Sequence, residues 1–311
     1  MTASTFPAAG STSGTPTPVS AESVGLATSR TWRTTKSSLM SALMATSLLL
    51  VLIPLVLVLF VVLQKGADSM SWAFLTKDIP VRAREIGPGM GPAIVGTLII
   101  TLVATLIAVP AGILGAIYLN EYGGTTIFAR VVRFMATVMT GVPSIVMGIF
   151  IYVSFTVRLG TSGFQGFGGS LALAALMLPI IIRSVEEMLR LVPENLREAS
   201  MGLGATKSRT ILTVVLPAAL PGVISGCLLA VARAAGETAP LIFTIGVAKS
   251  LNTNPFKGPM AALPREIFAN AQEPFPGANQ RAWGAALTLI LLAFLLTVIA
   301  RLVSARFALK R

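Results

Sequence analysis

From Ser37 to Gln64 the chain carries no charged residue and is mostly apolar. That run exceeds the ~20 residues a helix needs to cross the hydrocarbon of a bilayer. Within lipid every backbone N–H and C=O must find a partner inside the protein, which leaves helices or closed barrels as spanning structures. A cleaved leader would begin nearer the N-terminus and have a shorter apolar core. The run is therefore predicted as a first transmembrane helix, in spite of Pro54.

Five more apolar runs follow, at about Ala93–Leu119, Val131–Val157, Phe164–Ile182, Val214–Val247 and Trp283–Ala300. The fourth is the weakest, interrupted by Gln165, Ser170 and Pro179. The expectation is an all-α, polytopic membrane protein with six transmembrane helices. Charged residues make up only 12% of the chain, against roughly 25% in soluble domains, which excludes a cytosolic globular enzyme. Residues 1–35 are rich in Thr, Ser, Ala, Pro and Gly and are predicted as a disordered cytoplasmic tail. Residues 36–92 hold the first helix and first external loop, and 93–311 the core.

With the N-terminus inside, the greater share of Lys and Arg lies on the cytoplasmic side, including Arg130, Arg133, Arg183, Arg190 and Arg197. The bias predicts both termini in the cytoplasm of a multi-pass protein of the plasma (inner) membrane. The net charge of +12 would also suit nucleic acid. In so apolar a chain, anionic lipid or an anionic substrate accounts for it instead, so no nucleic acid partner is expected.

There is no histidine, which excludes a Ser-His-Asp triad, a His-based zinc centre and a histidine proton relay. The single Cys227 cannot form an internal disulfide and reads as a small buried thiol. No cofactor or metal is expected. Lys207-Ser208 follows Thr206, and Met201 stands where a phosphate loop needs its first Gly. The chain is thus expected to hydrolyse no ATP itself.

The segment at about 192–217 is the most informative. Pro193 suits the first turn of a helix, Glu194 and Glu198 favour its N-terminal half, and Gly202 and Gly204 suit its end. Thr206 can then cap a second helix leading into the fifth span. By composition this could be a solvated connector. Its spacing adds a constraint: Glu198-Ala199-Ser200, Gly204 six residues after the Glu, then Val214 and Leu216-Pro217.

The second informative stretch is Ala232-Arg233-Ala234-Ala235-Gly236-Glu237-Thr238-Ala239-Pro240, which puts opposite charges inside the fifth apolar run. A charge at mid-membrane costs at least ~2.5 kcal/mol on insertion scales and needs a partner or a wet path. Arg233 and Glu237 are four apart, as on one helix face. They read either as a structural ion pair or as anion-handling groups, since a guanidinium matches a phosphate oxygen pair. Ala218, Gly222, Gly226, Ala230, Ala234 and Thr238 form a small-residue stripe suited to close helix packing, with a homologous partner subunit as the expected neighbour. Pro143 breaks the third run, freeing carbonyls for a path or simply kinking the helix.

The 192–217 segment resembles the coupling loop of ABC importer permeases, with Ser200 and Val214 as departures from its Glu-Ala-Ala and Ile positions. Arg-Ala-x-Gly-Glu-Thr-Ala-Pro is similar to the signature of permease subunits of the phosphate ABC importer, most closely the PstA-type subunit. So are Gly141 to Gly148 and Leu178 to Arg183 with Glu186-Glu187. The resemblance covers roughly residues 91–300 and implies a type I ABC importer permease fold. It also implies a homologous permease subunit, two ATP-binding subunits, an extracytoplasmic phosphate-binding protein, and import of inorganic phosphate by alternating access. The implied substrate path runs by Arg233, Glu237, Thr238 and Ser144. The implied coupling residues are Glu198, Ala199, Ser200 and Gly204. Alternatives are an ABC permease for another oxyanion or small polar solute, a secondary transporter or channel gated by the Arg233/Glu237 pair, and a scaffold subunit.

Overall fold

A computed structural model describes residues 32–308 except 86, 88 and 159–162. Residues 1–31 of the expected tail, with Lys310 and Arg311, lie outside the described residues. Among the described residues every regular element is helical. The chain divides into two units, Met1–Val56 and Leu57–Arg311.

α1 (Trp32–Ala67) runs unbroken through Pro54, and its side chains from Leu39 to Val56 are exposed, as suits contact with lipid. α2 (Trp72–Thr76) is one short turn capped by the Ser71 hydroxyl, which accepts from the Phe74 N–H. α3 (Gly91–Ile117) continues as a π-wound turn, Tyr118–Tyr122. The third apolar run forms two helices, α4 (Ile127–Gly141) and α5 (Ser144–Ile151), the latter prolonged by a π turn to Thr156.

α6 (Gly166–Arg190) is followed by the short α7 (Glu194–Gly202) and α8 (Lys207–Thr210). A π turn, Ile211–Val215, leads into α9 (Leu216–Ala235), then α10 (Ala239–Thr244), α11 (Leu263–Ala271) and α12 (Pro276–Ala308).

Among the described residues five helical stretches are long and apolar enough to cross a membrane: Thr35–Ala67, Gly91–Tyr122, Gly166–Arg190, Lys207–Ala235 and Pro276–Ile299. The third expected span is not straight. It bends by 107° between α4 and α5, where Val142 turns extended and Pro143 supplies no N–H. The fifth run also breaks. It ends as a helix at Ala235, and Gly236, Glu237 and Thr238 separate it from α10.

The core lies among α3, α6 and α9. Small side chains let these helices approach: Ala104, Ala108, Gly112 and Ala116 recur every fourth residue of α3 and are buried. A Cβ on Gly112 would stand 2.5 Å from a methyl of Ile181 on α6. Ser170 donates to the Ile100 carbonyl across the same interface (3.0 Å). The glycine stripe of α9 is covered by this chain's own α6, not by a separate subunit, because Gly222 faces Met188 and Gly226 faces Ser184.

At the end of α3 and α6 away from α7, residues 245–275 fold back over the bundle. Met260–Leu263 is fully buried, and the Leu263 N–H donates to Thr97 Oγ1 (2.8 Å). Glu266, with no exposed surface, sits between Lys249 (3.3 Å) and Arg265 (3.0 Å). Arg281 holds the adjoining segment by donating to the carbonyls of Ala83 and Glu85. Buried charges of this kind persist only when paired.

Candidate functional site

The 192–217 segment folds as two short helices joined by a tight turn. Pro193 stands just before α7, and Thr206 caps α8 by accepting the Arg209 N–H (3.4 Å). Between them Gly204 has φ +87°, a left-handed conformation that costs an L side chain roughly 1–2 kcal/mol. The Ala205 N–H donates to the Ser200 carbonyl (3.2 Å) and the Gly204 N–H to that of Met201 (2.9 Å), the paired bonds that close a helix at such a glycine. A Cβ on Gly202 would meet nothing.

Of the nine residues of α7 only Arg197 is buried. Glu198, Ala199, Leu196, Met201 and the following Leu203 are all exposed, so the helix offers an acidic and apolar face. Ser200 is half-buried, and its hydroxyl lies 2.9 Å from that of Thr210. The departure from alanine at this position therefore has a partner. Beyond α8 the chain is π-wound from Ile211 to Val215, just before Pro217 and Pro221, neither of which has an N–H to give the preceding turn.

The second candidate region lies at the break between α4 and α5. A cavity of about 290 Å³ is lined by Thr140, Pro143 and Ser144 from that break, Met177 and Ile180 from the middle of α6, and Arg233 and Glu237 at the end of α9, among others. Arg233 occupies the last turn of α9. Glu237 lies beyond its end, where the Gly236 N–H bonds the Arg233 carbonyl and the Glu237 N–H that of Ala234. The two are therefore not on one continuous helix face.

Arg233 Nε stands 3.9 Å from Glu237 Oε1, with the arginine side chain 70% exposed and the glutamate 23%. The guanidinium makes no hydrogen bond among the described residues and is open to the cavity. The first turn of α5, starting at Ser144, borders the same space and adds the positive end of a helix. Thr238 stands just before α10 and is not among the lining residues. A cavity with one open guanidinium, a carboxylate and a helix start is suited to hold a small oxyanion.

The α5 and α10 segments meet closely, since a Cβ on Gly148 would stand 2.5 Å from the Pro240 Cα. A smaller cavity of about 190 Å³ follows along α4 and α6, where Glu186 Oε1 accepts from Arg133 (2.8 Å) and Arg190 (2.6 Å).

Residues 108–309 match the family described as binding-protein-dependent transport system inner membrane component. The chain belongs to that family. It is 44% identical over 266 residues to the phosphate transport system permease protein PstA of Mycobacterium leprae, covering 84% of this chain and 86% of the relative. It is 39% identical to the PstA of Yersinia pestis, covering 88% and 92%.

Among solved structures it resembles a subunit of a bacterial alginate ABC transporter (TM-score 0.63, 15% identity, 89% of this chain and 98% of that one). It also resembles one of the MetNI methionine ABC transporter (0.53, 20%, 70% and 93%). These likenesses show the fold of an ABC importer permease. As a member of the inner membrane component family, the chain is a multi-pass inner membrane protein of the PstA type.

Three features of this family member were not legible as sites in its sequence. The buried Arg197 lies inside the expected coupling segment, yet reads there as one more cytoplasmic cation. Glu121 just follows an apolar run and gives no sign of its partner 76 residues away. Glu266 with Lys249 and Arg265 lies between the fifth and sixth apolar runs, where nothing in the hydropathy marks a buried charge cluster. The Arg197–Glu121 and Lys249–Glu266 pairings are set by the packed bundle, not by local spacing.

Proposed function

We propose that this chain is the permease subunit of an ATP-driven importer of inorganic phosphate, in which Arg233 meets the oxyanion. The observation that carries this reading is the exposed Arg233 guanidinium in the cavity at the α4–α5 break, with Glu237 only loosely engaged. The names of the PstA relatives support phosphate as the cargo. The chemistry of the pair favours it over sulfate: near neutral pH phosphate keeps a P–OH that the Glu237 carboxylate can accept, whereas sulfate has none. Ser144 and Thr238 would complete the path beside the broken helices.

The energy would come from two ATP-binding subunits docked on the exposed face of α7 around Glu198 and Ala199, a helix-in-groove contact. Closure of the ATPase pair would shift the permease between its two access states. A homologous permease subunit would complete the membrane pathway, and an extracytoplasmic phosphate-binding protein would deliver the cargo. Both termini would lie in the cytoplasm.

The test is uptake by proteoliposomes holding the whole complex, with ATP inside and loaded binding protein outside. Phosphate should accumulate only with ATP, and Arg233→Gln should abolish accumulation while the complex still assembles. ATP-driven uptake of sulfate in place of phosphate, or normal phosphate uptake by the assembled variant, would overturn the reading.

A further inference from the structure

α7 has almost no apolar hold on the bundle. Its one buried side chain, Arg197, makes four polar contacts instead. Nη1 donates to the Val192 carbonyl (2.7 Å), just past the end of α6, and Nη2 to that of Leu189 (2.9 Å), in its last turn. Nη2 also donates to Glu121 Oε1 (3.1 Å) in the π turn that ends α3, and Nη1 to Glu194 Oε2 (3.3 Å) at the start of α7 itself. Glu121 is held in place in turn by the Asn120 amide (2.8 Å). The Arg197 and Glu121 side chains are only 10% and 7% exposed.

A planar guanidinium can serve two carbonyls and a carboxylate together because its donors are fixed in direction. The Leu189 carbonyl lies in the last turn of α6, where a cation is favoured by the helix dipole. One side chain thus fastens α7 to the ends of α3 and α6, the two most extensively packed helices of the molecule. α6 in turn carries Met177 and Ile180 to the cavity with Arg233.

We propose that Arg197 is a positioning residue for transport: through Glu121 and the α6 carbonyls it makes α7 move as one body with α3 and α6. A push on the exposed face of α7 then reaches the cavity instead of being lost in a loose helix. The proposal rests on the coupling role given to α7 above, and its test separates the two.

The whole complex, reconstituted with its ATPase and carrying Cys227→Ala, is spin-labelled at Asn195→Cys on α7 and Leu114→Cys on α3, both exposed positions. The distance between labels should be narrow and the same in nucleotide-free and vanadate-trapped states, whatever the cargo proves to be. In Arg197→Met it should broaden or change with nucleotide. Basal ATP hydrolysis should persist, while its stimulation by phosphate-loaded binding protein and the uptake of phosphate fall at least tenfold.

Glu121→Gln, which keeps an acceptor, should fall less than Arg197→Met, and Arg197→Lys, which cannot span all the acceptors, should lie between. A label distance that already changes with nucleotide in the parent, or a narrow distance and full stimulation in Arg197→Met, would overturn the proposal. If Arg197→Met fails to assemble, the Lys and Gln variants decide, and full coupling in both overturns it as well. Invariant distances with no phosphate stimulation in the parent would count against the cargo and leave the positioning role standing.

Discussion

The hydroxyls of Ser200 and Thr210 stand 2.9 Å apart and tie the end of α7 to α8. Thr210 is buried and Ser200 half-buried, so the bond is sheltered from water on one side. A net contribution of about 1 kcal/mol is expected of such a bond, with a further penalty when one buried partner is left alone.

Ser200→Ala should therefore lower the stability of the α7–α8 turn by about 1 kcal/mol, seen as faster amide exchange over residues 194–210. Adding Thr210→Val should restore part of the loss, because no buried hydroxyl then lacks a partner. A double-mutant cycle in which the two losses simply add would show that the bond contributes nothing.

Gly204 offers a separation of backbone from docking effects. Its φ of +87° penalises any side chain, yet a Cβ there would meet no atom within 4 Å. In the isolated subunit Gly204→Ala and Gly204→Leu should thus cost the same, roughly 1 kcal/mol, and Gly204→Asn less. In the assembled transporter Leu should lose substrate-stimulated ATP hydrolysis far more than Ala, since only there does another surface approach. Equal coupling in the Ala and Leu variants would remove Gly204 from the docking face.

The spans, Pro193, Gly204 and Thr206 could be placed from sequence because each depends on local rules: length of apolar run, missing N–H, positive φ and a capping hydroxyl. What escaped were events decided by tertiary packing. Pro143 marked a break in the third run, but only the fold shows that the chain turns there by 107°, and the fifth run read as a single helix because Gly236 interrupts neither hydropathy nor length, although α9 ends there. The α9 stripe announced close packing, but only the fold shows that Met188 and Ser184 of α6 fill it. The Arg197–Glu121 contact spans 76 residues, beyond any periodic signal. Arg233 and Glu237 were found because charge in an apolar run is costly wherever it falls. Their helical spacing was misleading, since α9 ends between them.

That ending bears on the role of Glu237. At 3.9 Å, with Arg233 70% exposed, the pair is too loose and too open to stabilise the chain by more than the ~1 kcal/mol of an exposed pair. Glu237→Gln should leave assembly intact. The exchange of both charges, Arg233→Glu with Glu237→Arg, then distinguishes two roles. If the two groups only neutralise each other, the exchange preserves the pair and transport returns. If Arg233 receives phosphate, the exchange sets a carboxylate where the oxyanion must pass, and like charges repel strongly in a path of low dielectric. Assembly with no phosphate uptake is the expected result, scored by co-purification of the complex and by uptake in proteoliposomes. Restored uptake in the exchanged variant would make the pair structural and leave the cavity without its anion ligand.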